Sequence, residues 1–214
     1  MSLGSPAAVS ILPVTNRDLA MADSANYYVA VTPTPGTGII SAGPTTLVST
    51  TPSLVVFNGG LLNVYLIYLK LGSTVVGGGA AFHNYTHSVD QGNRYTSGGT
   101  ALTINNTNSL ANAKSSVQAT WGSLTATTAT ANERKLGNDW FRSGADVVGD
   151  VYEFQYGSPV GGATSGTQVA TVMNTVRSTC PIVLQPQSSY ILNLWASTNT
   201  QGVTMEVQLA FCEK

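Results

Sequence analysis

Charge is what this chain has least of. Asp, Glu, Lys and Arg make up 9% of its 214 residues, against roughly a quarter in an average soluble domain. Nine cations and ten anions leave a formal net charge of −1, and no run of Lys or Arg gathers anywhere. Nucleic acid is therefore not expected as a partner, because phosphate contact rests on clustered cations. Long hydrophobic runs are also missing. The longest, residues 61–69, is broken by Asn63 and closed by Lys70, too short to cross a bilayer as a helix. Residues 1–6 lack a basic stretch leading into an apolar one, so neither a secretory leader nor a membrane anchor is expected. There are two cysteines and two histidines. Cys180 and Cys212 can bridge only if neighbouring strands bring their Cα atoms into range; otherwise they are two small half-buried thiols in a reducing cytosol.

Helical spacing is nearly absent, and period-two alternation takes its place. Val203, Met205, Val207, Leu209 and Phe211 alternate with Thr204, Glu206, Gln208 and Ala210, the pattern of a half-buried strand. Residues 190–195 are apolar on nearly both faces, and with the C-terminal strand they read as a hairpin with a long loop. Tyr152, Phe154 and Tyr156 form an aromatic stripe at strand spacing. Residues 26–31, 45–49, 53–57 and 181–184 add further strands, the last with Pro181 at its start. Residues 61–71 form the longest, with two apolar faces that imply burial between sheets or against another subunit. Residues 108–114 and 129–136 each have room for a helical turn or two. Glycine-rich loops stand between the strands. The expected fold is an all-β antiparallel sandwich of jelly-roll type, with at least eight strands and no helix longer than about four turns. Residues 1–25 read as an N-terminal arm or edge strand, and residues 26–214 as the sandwich domain.

Few residues carry chemistry. His83 and His87 share one side of an extended strand, with Asp90 three residues on, but no third ligand at a recognised metal spacing follows. The competing reading is a polar loop or strand edge. Asp146 with Asp150, or Glu133 with Asp139, are the carboxylate pairs available to a glycosidase, set against solvated loop charges. No nucleophile elbow and no phosphate-cradling glycine loop is present. Trp121, Trp140, Phe141, Tyr152 and Tyr156 are either a sugar-stacking platform or packing residues. Neither a catalytic set, a metal site nor a cofactor is expected.

The segment Cys180-Pro181-Ile182-Val183-Leu184-Gln185-Pro186-Gln187-Ser188-Ser189, running into a strand that ends in Trp195 and a last strand over residues 203–213, resembles the C-terminal end of tailed-bacteriophage virion proteins. Those proteins carry jelly-roll domains like the tumour-necrosis-factor fold, often as trimers. The resemblance covers about the last sixth of the chain. It implies a non-enzymatic structural role on the virion surface after synthesis in the host cytoplasm. A capsid decoration or cement protein comes first, with the major capsid protein or other virion proteins as partners. A carbohydrate-binding sandwich, either a lectin or a receptor-binding fibre or tail module, is the alternative. Leu62, Val64, Leu66, Tyr68, Leu192, Leu194 and Trp195 are the expected interface of a homotrimer. Ile11, Leu12 and Val14 are the expected capsid-contacting arm.

Overall fold

The computed structural model describes residues 17–41, 43–75, 83–140, 147–157, 167–169, 172–196 and 202–214. One short helix, α1 (Arg17–Asp23), precedes β1 (Tyr27–Val31), β2 (Ile39–Ile40), β3 (Leu54–Asn58), β4 (Val64–Val75) and β5 (His83–Gln91). Then come β6 (Tyr95–Ala101), β7 (Thr103–Asn106), β8 (Val117–Ala126), β9 (Arg134–Trp140) and β10 (Val151–Tyr156). The chain closes with β11 (Thr167–Val169), β12 (Val172–Thr179), β13 (Val183–Leu184), β14 (Ser188–Ala196) and β15 (Thr204–Glu213).

The strands pair from the outside inwards. β1 pairs with β15, β3 with β14, β4 with β10 and β5 with β9, all antiparallel. That is one long hairpin wrapped into two sheets, the wiring of a jelly roll. One sheet has nine strands, with the order β11-β12-β10-β4-β15-β1-β7 and with β13 added to β4 and β2 to β15. The other runs β6-β8-β3-β14-β5-β9. The expected all-β sandwich is therefore what the sequence forms. Between β5 and β9 the chain makes an excursion that lays β7 on the edge of β1 and β8 on the edge of β3. Both sheets are thus extended on the same side.

Aliphatic and aromatic side chains from the two inner faces make a single core, including Leu54, Val56, Trp121, Phe154, Leu192 and Leu209. The β4 strand departs from simple alternation. On β15, Phe211 stands opposite Leu66 and Ala210 opposite Tyr68, so Ile67 is an extra residue in a bulge. The bulge resets the pleat and lets both Leu66 and Leu69 face inwards, each at most 3% exposed.

Four local expectations are corrected. The β14 and β15 strands lie in different sheets and do not form a hairpin, because alternation tells which side of a strand is buried and is silent about its partner. Residues 45–49 are a loop, and this loop covers the outer face of β14. Its Val48 carbonyl accepts from Asn193 Nδ2 at 2.8 Å, and the Pro44 carbonyl just before it accepts from the Ala196 N–H at 2.9 Å. Residues 108–114 and 129–136 contain no helix, and the second enters β9. Within the expected arm or edge strand, Arg17–Asp23 is helical; Ile11, Leu12 and Val14 lie outside the described residues.

Candidate functional site

The histidines occupy the inner face of β5, in the second position of its sheet from the β9 edge, and both are buried. Neither is on a polar loop. His87 sits among rings, 4.7 Å from the Phe154 centroid in an edge-on arrangement and about equally distant from Tyr156 and Tyr190. Its Nδ1 is 2.7 Å from the Tyr190 hydroxyl, and that oxygen is 2.7 Å from the Tyr156 hydroxyl. Its Nε2 faces Asp139 Oδ2 at 3.4 Å.

The Asp139 carboxylate biases the direction of these bonds through its charge, Nε2 itself making no hydrogen bond. A carboxylate only accepts, so Asp139 favours the tautomer with hydrogen on Nε2, which leaves Nδ1 as an acceptor. Tyr190 then spends its one hydrogen on His87, and Tyr156 donates to Tyr190. Burial raises the Tyr190 phenol well above its ordinary value and the neighbouring Tyr156 raises it further. Burial likewise raises Tyr156. Both stay neutral donors.

A cavity of about 240 Å³ opens beside this chain of bonds and is lined by His87, Leu136, Asp139, Cys180 and Ile182 among others. Cys180 is exposed. Cys180 lines the same cavity as His87, whose Nδ1 contacts Tyr190 and whose Nε2 is buried without a hydrogen bond, the Asp139 carboxylate lying 3.4 Å away. No group of three His, Cys, Asp or Glu side chains able to hold a metal ion occurs among the described residues.

The carboxylates are committed to structure. Asp150 is buried and accepts from the Val147 N–H at 2.8 Å and from the Tyr152 hydroxyl at 3.3 Å; Asp146 lies outside the described residues. Glu133 approaches Arg94 at 3.6 Å, and Asp139 faces His87. Of the two expected pairs only Glu133 and Asp139 lie wholly within the described residues, and each is turned to a different partner. Trp121, Tyr152 and Tyr156 belong to the core, so they form no sugar platform. The Trp140 side chain and Phe141 lie outside the described residues.

The expected interface residues divide. Val64, Leu66, Leu192 and Leu194 are at most 3% exposed, covered by the opposite sheet of their own chain, and so are not a surface. Tyr68 and Trp195 are half-buried, and Leu62 is 50% exposed. Leu61, expected with residues 61–71 to be covered, is 92% exposed, and Val183 of β13 is 42% exposed. Asn58 holds this end together. It is fully buried, and its Nδ2 donates to the Leu62 carbonyl at 2.8 Å and to the Leu184 carbonyl at 3.0 Å. Its Oδ1 accepts from the Gly60 N–H at 3.0 Å. A Cβ at Gly60 would lie 2.0 Å from the Ser116 hydroxyl oxygen, so a larger residue in this turn requires the Ser116 side chain to rotate away. The Asn-Gly-Gly-Leu-Leu run of residues 58–62 was the available signal: a turn followed by two leucines with no polar partner.

Compared with known protein families, characterised proteins and solved structures, the chain shows no significant match to any of them.

Proposed function

We propose that this chain is a non-enzymatic structural protein of a virion, a decoration or cement protein that docks on the capsid shell and works as a homo-oligomer. The observation that carries the reading is the pair of exposed leucines, Leu61 and Leu62, on a turn clamped by Asn58. Large aliphatic side chains held out by a rigid turn lose little freedom on docking, and full burial of each is worth about 1.5–3 kcal/mol. Many copies on one shell add such contacts through multivalency. The low charge supports the same reading, since the contact then carries little cost for desolvating ions. The fitting partner is a shell subunit with an apolar depression.

Mass spectrometry of purified particles, with cryo-electron microscopy of the shell, tests the proposal. The expected result is the chain in stoichiometric amount on the capsid surface, with its Leu61 end inward, and lower heat resistance of particles lacking it. Light scattering is expected to give a trimer. Absence from particles, or unchanged heat resistance after deletion, overturns the reading.

A further inference from the structure

We infer that the groove between α1 and the outer face of the nine-stranded sheet binds a neutral pyranose saccharide. The groove has a volume of about 390 Å³ and is lined by Arg17 and Asp18 of α1, Tyr27 of β1, Ile67 and Tyr68 of β4 and Gln155 of β10, together with the end of β10. The lining is amphipathic, tyrosine rings and Ile67 alternating with polar side chains, which suits a ligand that carries both C–H faces and hydroxyls.

The polar groups are already oriented. Gln208 Nε2 donates to the Tyr68 hydroxyl oxygen at 2.7 Å, which leaves the Tyr68 hydrogen to be donated elsewhere. Gln155 Nε2 donates to Glu153 at 2.9 Å, which turns its carbonyl oxygen the other way as an acceptor. Tyr68 and Gln155 stand directly opposite each other in the β4–β10 register. A donor and an acceptor side by side suit two adjacent hydroxyls of one sugar ring, where one accepts and the next donates.

Tyr27 and Tyr68 are half-buried and both line the groove, where an aromatic side chain can pack on the C–H side of a pyranose. Arg17 and Asp18 lie 3.6 Å apart at the rim and balance each other, so neither an anionic nor a cationic ligand is favoured. This inference stands on the groove alone and does not depend on docking to a capsid.

The test is a titration of the full chain, followed by nuclear magnetic resonance, with methyl α-D-glucopyranoside, methyl β-D-galactopyranoside and N-acetylglucosamine, and with p-cresol as an aromatic probe lacking adjacent hydroxyls. At least one sugar is expected to give saturable shifts confined to Tyr27, Ile67, Tyr68 and Gln155. Gln155→Ala and Tyr68→Phe should each weaken that sugar by about tenfold while leaving the remaining spectrum folded. Thr103→Ala on β7 should change nothing. No saturable shift with any of the three sugars, shifts that persist undiminished in both groove variants, or binding of p-cresol alone overturns the inference.

Discussion

Arg94 Nη1 lies 2.6 Å from Asp90 Oδ2, with the two side chains 1% and 0% exposed. The guanidinium also donates from Nε to the Thr127 carbonyl at 3.0 Å and from Nη2 to the Ser49 carbonyl at 3.1 Å. One arginine therefore ties two separate loops to the outer face of the six-stranded sheet. Truncating one member of a buried pair strands the other charge, at a cost of about 3–5 kcal/mol. Arg94→Met should lower the unfolding free energy by that amount in urea titrations, and Arg94→Lys should restore only part because it cannot reach three acceptors in a fork.

Acid should release the same network. Burial alone would raise the Asp90 carboxyl, but hydrogen bonds from the Thr130 hydroxyl and N–H, from Arg94 and from the Gln91 N–H outweigh it and hold the group below its ordinary value of 3.8. With the folded value depressed, the contribution is complete above the unfolded value and is lost as pH falls through the folded one. Stability measured from pH 6 downwards should thus decline below about 4. In Asp90→Asn, already less stable, that part of the decline should be missing.

The bond chain in the core predicts a second, chemically distinct loss. Tyr190→Phe keeps the ring but leaves the buried Tyr156 hydroxyl without its acceptor and His87 Nδ1 without its donor. An unsatisfied buried polar group costs about 1–3 kcal/mol. Calorimetry should show this destabilisation for Tyr190→Phe, and adding Tyr156→Phe should cost less than the sum of the two single changes, since the two share one bond.

The two thiols are unpaired, Cys180 exposed and Cys212 buried. Burial, reinforced by Asp18, pushes the Cys212 thiol up to about 11, so it lacks both access and thiolate. Titration with a chromogenic disulfide reagent at neutral pH should show one fast thiol in the native protein and the second only after denaturation. Cys180→Ser should remove the fast phase.

The fold was largely legible because alternation is a local property. Residues 203–211 alternate in the sequence as they do on β15, and the stripe of Tyr152, Phe154 and Tyr156 faces the core as its spacing implies. What alternation omits is partnership. It placed β14 and β15 in one hairpin, and it read residues 61–71 as apolar on two faces when the Ile67 bulge had moved Leu69 onto the face of Leu66. It also gave no sign that residues 43–53 would lie against β14, bonded to Asn193 and Ala196, which made a second subunit look necessary there. The groove is harder still to foresee, because Tyr27, Tyr68 and Gln155 come from three strands far apart in sequence, and only the sheet order brings them together.

Two leucines five residues apart should separate folding from docking. Leu66 is 3% exposed and packed between the sheets, so Leu66→Asp buries an unpaired charge and should prevent folding, read as loss of the β-sheet circular dichroism signal. Leu61 is 92% exposed on the Asn58-clamped turn, and surface substitutions of that kind usually change stability by no more than about 0.5 kcal/mol. Leu61→Asp, combined with Leu62→Asp, should therefore leave spectrum and melting temperature nearly unchanged. Binding to capsids lacking the protein should fall steeply, because each buried leucine lost from a repeated contact weakens every copy and the multivalent total compounds the loss. Cosedimentation of the double variant with such capsids reads the outcome directly. Undiminished binding would overturn the proposed docking through Leu61 and Leu62.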